Sequence, residues 1–176
     1  MDKVLELFLR KQLQEGLALA AESDLLELRP LGRGDGPPQH FIARFHCNGF
    51  VEIQGRISKA ALFDVGIFFP DHYLREANSF EVLTWLSPAN FAHPNVRAPF
   101  ICVGERFLRP GTKLVEIIYQ LFAIITHNKW AAHSPLNETA AQWARENQHL
   151  LPADSRPLKR RLISLQISLG AERGEP

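Results

Sequence analysis

Residues 93–105 read HPNVRAPFICVGE. The stretch opens on a His-Pro-Asn turn, in which Pro94 locks φ and stiffens the chain. Near its end stands Cys102, one of only two cysteines, among apolar neighbours. A cysteine in such company is a small packing residue or a nucleophile. Pro99 precedes it and Gly104 follows it, which predicts an irregular ledge and not a continued strand. A thiol on a ledge is accessible, so the nucleophile is favoured. Cys47 is the contrast. It falls on the phenylalanine side of the alternating run HFIARFHC (40–47), which predicts a core position.

Upstream of the turn the pattern is first helical and then alternating. Over residues 2–22, Leu5, Phe8, Leu9, Leu13 and Leu17 recur at three- and four-residue steps and give one apolar face, with Asp2 as N-cap. Lys3, Arg10 and Lys11 lie mostly off that face, as a solvated flank would. LLELRP (25–30) is a short strand, and LGRGDGPPQ (31–39) is a loop by its glycines and prolines. Asn48-Gly49 between HFIARFHC and FVEIQGRI predicts a hairpin, because both residues tolerate positive φ. ALFDVGIFF (61–69) sets Phe63, Val65, Ile67 and Phe69 on one side and ends at Pro70; SFEVLTWL (79–86) predicts another strand. The result is an antiparallel meander of about four strands with one face to cover.

Downstream the period changes. TKLVEIIYQLFAIIT (112–126) carries a wide apolar stripe and predicts a buried helix over the sheet. SPLNETAAQWARENQ (134–148) predicts a helix with Ser134 as N-cap, Pro135 at the first position, and Leu136, Ala140 and Trp143 inward. Beyond Pro152 the segment SRPLKRR is basic, a short helix is expected near 158–169, and AERGEP is expected to fray. The organisation is one α+β domain over 1–152 and a basic C-terminal extension over 153–176, partly helical or frayed.

Composition narrows the function classes. A net charge of +1 argues against an electrostatic nucleic-acid binder. No apolar run approaches the ~20 residues of a membrane span, and MDKVLELFLRKQLQEG lacks the basic-then-apolar order of a signal peptide. Two thiols make no disulfide framework, so a reducing, cytoplasmic compartment is expected. His40, His46 and Cys47 do not form a metal site, because neighbouring strand residues point to opposite faces.

The order of these features resembles the ubiquitin-conjugating enzymes, the second enzymes of the ubiquitin cascade. A helix leads into a meander whose third strand ends FFP (68–70). HPN (93–95) and ICVG (101–104) follow, then Pro110 before a long apolar helix, and SPLN (134–137) before another. The likeness covers roughly residues 2–150. The terse loops and WARENQ (143–148) are more similar to bacterial members, which accompany ubiquitin-like modifiers in operons, some of them antiphage. Departures are visible: DHYLREANS (71–79) lacks the family's further prolines, and Phe107 or Leu108 stands where a tryptophan is usual.

The resemblance implies a two-step acyl transfer without cofactor. The Cys102 thiolate takes a ubiquitin-like modifier's C-terminal acyl group from an activating enzyme, and a lysine of an acceptor protein then attacks the thioester. Asn95 would donate to the tetrahedral oxyanion, slowing discharge ~10²-fold when lost, or brace the loop as an Asx turn does. His93 is expected to bond loop backbone in preference to acting as a general base. Ser134 would stand at the acceptor gate, or serve only as the N-cap. Lys3, Arg10 and Lys11 would face the activating enzyme, and the loops near Tyr73 and Leu108 a ligase, if one exists. No basic residue adjoins Cys102 in sequence except Arg106, so strong activation is not expected. The rivals are a non-catalytic binding module of the same fold, which would normally lack the cysteine, and a Cys-His hydrolase, which would need His93 or His133 at the sulfur.

Overall fold

The computed structural model describes residues 2–32, 36–104, 106–130 and 134–160. Helix α1 (Lys3–Ala21) starts where Asp2 accepts a hydrogen bond from the Val4 N–H. Its buried face is Leu5, Leu9, Gln12, Gly16 and Leu19; of the expected stripe Leu5 and Leu9 are buried, Phe8 and Leu13 pack partly buried against the core, and Leu17 is 42% exposed. Two residues that an apolar count passes over complete the face. The Gln12 side chain accepts the backbone N–H of Leu114 at 2.9 Å, satisfying a donor at the start of a second helix. Gly16 lets α1 come close: a Cβ there would stand 2.7 Å from Leu28 and 2.8 Å from Leu114 side-chain atoms. Lys3, Arg10 and Lys11 lie exposed on the flank, Arg10 paired with Glu6 at 2.7 Å and Lys11 with Glu15 at 3.7 Å.

Strands β1 (Leu26–Leu31), β2 (His40–Phe45), β5 (Phe63–Phe68) and β6 (Leu83–Ser87) make one antiparallel sheet in the order β1-β2-β5-β6. The alternation is as expected, with Phe41, Ala43, Phe45, Phe63, Val65 and Ile67 fully buried on one face. Between β2 and β5 the chain leaves the sheet to form a separate ribbon of β3 (Gly49–Ile53) and β4 (Arg56–Ala60). This corrects the hairpin expected at Asn48-Gly49. The tight turn is Gln54-Gly55, with φ of 51° and 73°, so both central residues adopt the positive φ of a type I′ turn. Gly49 serves closeness instead: its Cβ would meet the Phe63 ring at 2.7 Å and the Ile125 carbonyl oxygen at 2.9 Å.

SFEVLTWL is also divided. Asn78 accepts the Phe80 N–H at 2.9 Å and caps one helical turn, α2 (Ser79–Val82), before β6 begins. Helix α3 (Leu114–Ile125) buries Leu114, Ile117, Ile118, Leu121, Phe122, Ile124 and Ile125. These side chains fill one core with the inner sheet face, Leu5 and Leu9. Helix α4 (Glu138–Glu146) begins three residues later than expected, because Asn137 and not Ser134 is the cap; it accepts the Ala140 N–H at 3.0 Å. No helix among the described residues is long and apolar enough to cross a membrane.

Beyond α4 and a 3₁₀ turn (Gln148–Leu150), residues 153–160 run as an irregular strap over the domain. Asp154 is buried and accepts from the Asn48 N–H at 2.8 Å and from the Arg156 guanidinium at 2.7 Å. These bonds outweigh burial and hold its carboxyl down at about 2. Leu158 joins the core, Lys159 pairs with Glu22, and the Arg160 N–H donates to the Glu22 carbonyl at 2.9 Å. The helix expected near 158–169 lies, from residue 161 on, outside the described residues; Leu158–Arg160 are not helical.

Candidate active site

A two-residue hairpin presents Cys102. Strands β7 (Val96–Arg97) and β8 (Phe100–Ile101) pair antiparallel, and the Trp85 N–H donates to the Pro99 carbonyl at 2.8 Å, fastening the hairpin to β6. Ile101 and Val103 point into the core on either side of Cys102, which is half-buried. Cys102 opens on a groove of about 510 Å³, walled by Glu76–Phe80 on one segment and by Gly104, Leu108, Arg109 and Pro110 on another.

The His-Pro-Asn turn holds this ledge from behind. Asn95 and Cys102 bond reciprocally: the Cys102 N–H donates to the Asn95 carbonyl, and the Asn95 Nδ2 donates to the Cys102 carbonyl, both at 2.9 Å. His93 Nδ1 accepts the Asn95 N–H at 3.0 Å, so the ring proton lies on Nε2, which donates to the Lys129 carbonyl at 3.1 Å. His93 is fully buried, stacked on Phe91, with the ring of His127 4.4 Å away. Burial, then the neighbouring His127, holds it well below the ordinary histidine range. Both its nitrogens are committed to backbone, which is the structural role expected of it. It therefore does not supply the free imidazole nitrogen of a Cys-His hydrolase. His133 lies outside the described residues.

The segment 134–137 docks on the same turn, since the Pro94 carbonyl accepts the N–H groups of Leu136 at 2.8 Å and Asn137 at 3.2 Å. Ser134 is exposed just before this contact. Tyr73 and Leu108 correct an expectation, because neither side chain is at the surface. Tyr73 is fully buried against Phe69 and donates its hydroxyl to the Thr112 carbonyl at 2.7 Å, and burial pushes its phenol up. Leu108 belongs to the core, and the exposed apolar side chains near the groove are Phe80, Phe100 and Phe107. Cys47 is fully buried, and burial, aided by Asp154, pushes its thiol up to about 12, which fits a packing role.

One residue of the site had no sequence signal. Lys129, in the turn after α3, is half-buried with its Nζ 2.9 Å from the Val103 carbonyl oxygen and 2.7 Å from Gln120 Oε1. The ammonium also sits 3.1 Å above the centre of the Phe107 ring. It stands 27 residues from Cys102 in a stretch with no motif, and only the tertiary fold brings it to the carbonyl of the residue after the cysteine. Among the described residues, no three His, Cys, Asp or Glu side chains gather to hold a metal ion.

The histidine pair makes stability depend on pH. His127 is packed among Phe50, Phe91 and His93; the Ile125 and Ala92 backbone lies close, but neither ring nitrogen reaches hydrogen-bond geometry. Burial lowers it from 6.5 to about 4. A depressed value means that the neutral ring stabilises the fold above pH 6.5 and that this contribution fades as pH falls toward 4. The expected loss is about 2 kcal/mol between pH 7 and pH 5. Urea melts at both pH values should give that difference, and His127→Phe, which keeps the aromatic packing, should show a smaller one.

No protein-family model matches this chain, and no curated protein matches it in sequence.

Proposed function

We propose that the chain is a conjugating enzyme of the ubiquitin-conjugating type, carrying a ubiquitin-like modifier as a thioester on Cys102. The observation that carries this reading is the contrast between the two thiols. One is sealed in the core; the other stands on a braced ledge at the end of a groove. The α+β order of helix, antiparallel sheet, ledge and helices supports this reading, as does the HPN turn hydrogen-bonded to the cysteine.

In the first step the Cys102 sulfur attacks the modifier's terminal carbonyl carbon. A new C–S bond forms, the C–S bond to the activating enzyme breaks, and the departing sulfur leaves as thiolate. In the second step a neutral lysine amine of the acceptor protein attacks the same carbon: the C–N bond of the amide forms, the C–S bond to Cys102 breaks, the nitrogen gives up one proton to solvent, and Cys102 leaves as thiolate. The groove takes the modifier's extended C-terminus; the acceptor enters past the 134–137 segment, where Ser134 is exposed. Lys3, Arg10 and Lys11 form the flank offered to the activating enzyme. A bacterial, cytoplasmic setting in an antiphage conjugation system is part of the same proposal.

Incubation with activating enzyme, modifier and ATP, followed by non-reducing electrophoresis, tests it. Wild type and Cys47→Ala should give a reductant-sensitive adduct. Cys102→Ser should give a reductant-stable oxyester, and Cys102→Ala none. Charging of Cys102→Ala would overturn the proposal.

A further inference from the structure

The Lys129 ammonium is bound by two neutral oxygens and one aromatic face, and among the described residues no carboxylate pairs with it. A clamp on two neutral acceptors does not need a charge, and a half-buried charge that meets only neutral partners among the described residues is costly. The clamped carbonyl belongs to Val103, the residue that follows Cys102. Lys129 holds the Val103 carbonyl, while Asn95 holds the carbonyl of Cys102 itself. The Lys129 carbonyl in turn receives the His93 Nε2–H, and its N–H donates to the Ala123 carbonyl at 3.0 Å, so the lysine backbone is fixed at both ends. Burial draws Lys129 down to about 8, and the influence acting against that fall is Cys102.

We propose that Lys129 is the positioning cation of Cys102: it fixes the ledge through Val103 and lowers the free-energy cost of the Cys102 thiolate as that sulfur attacks an acyl carbon. The lysine keeps all three of its protons throughout, and the Cys102 proton goes to solvent before attack. The inference rests on Cys102 being the nucleophile, but its test needs neither modifier nor activating enzyme.

The test compares alkylation of Cys102 in the folded full chain by neutral iodoacetamide and by anionic iodoacetate, read by mass spectrometry of the Cys102 peptide. The ratio of the two rates reports the local charge, which a purely structural clamp would not alter. Lys129→Met should lower the iodoacetate-to-iodoacetamide ratio by about threefold to tenfold, the size of one nearby charge under water-like screening. Lys129→Arg should keep the wild-type ratio. Lys129→Gln, which retains an N–H donor for Val103, should behave like Lys129→Met and serves where the methionine variant does not fold. Neutral variants that fold and keep the wild-type ratio would overturn the inference. A lowered ratio in a protein that never charges would instead sink the conjugating-enzyme proposal and leave the charge pairing standing.

Discussion

Asn95→Ala is expected to slow loading and discharge together, each ~10²-fold, and to melt at a lower temperature. The reason is where its amide points. Nδ2 donates to the Cys102 carbonyl, and the Asn95 carbonyl receives the Cys102 N–H. Truncation removes the first of these bonds and leaves a backbone acceptor without its partner. That costs about 1–3 kcal/mol, or a fall in Tm of roughly 5 °C for a chain of this size. The ledge then wanders, and a displacement of about 1 Å at a reacting atom is enough for a ~10²-fold loss in either step. A residue acting only on the oxyanion would behave differently, sparing loading and thermal stability while discharge fell. Single-turnover rates for both steps beside a melting curve separate the two. Normal loading with an unchanged Tm would return Asn95 to the oxyanion.

Gly49→Ala is expected to destabilise the fold by about 3 kcal/mol, while Gly55→Ala costs only about 1 kcal/mol. At Gly49 the added carbon meets the Phe63 ring and the Ile125 carbonyl at under 3 Å, and the carbonyl belongs to the last residue of α3. Relief would need β3 to lift away from the core. At Gly55 the backbone has φ of +73° but nothing stands within 4 Å, so the cost is conformational alone. Urea melts of both variants test the ranking. A Gly49→Ala protein as stable as Gly55→Ala would mean that β3 has slack against the core.

These two glycines also mark how far sequence reading reaches. Alternation placed β2 and β5 and their buried phenylalanines, because period two is imposed by the strand itself. The Asn48-Gly49 signal placed the turn wrongly. A glycine needed for clearance and one needed for positive φ are the same letter, and only the neighbours of Gly49 tell them apart. The helix face was read incompletely for a similar reason. Gln12 and Gly16 lie at the centre of a contact by virtue of what Leu114 offers them. At the site, His93, Asn95 and Cys102 were legible because they are close in sequence and their turn chemistry is local. Lys129 was not, since nothing near it in the chain signals that its ammonium will lie on the Val103 carbonyl. The resemblance pointed to the loops near Tyr73 and Leu108, and the burial of those two side chains follows from packing that a motif does not carry.

The strap at 153–160 has a consequence for how the molecule comes apart. Its fastenings join distant parts of the chain: Arg160 to Ala21 and Glu22 at one end of α1, and Asp154 to Asn48 just past β2. Each closes a long loop, whose entropy cost grows only slowly with length. Each also depends on few contacts, so the strap belongs to the easily opened part of the fold. The amides of Asn48, Ala153 and Arg160 should therefore exchange with solvent deuterium well before those of β2 and β5. Their exchange would register early loosening of the domain while the Cys102 ledge still holds its shape.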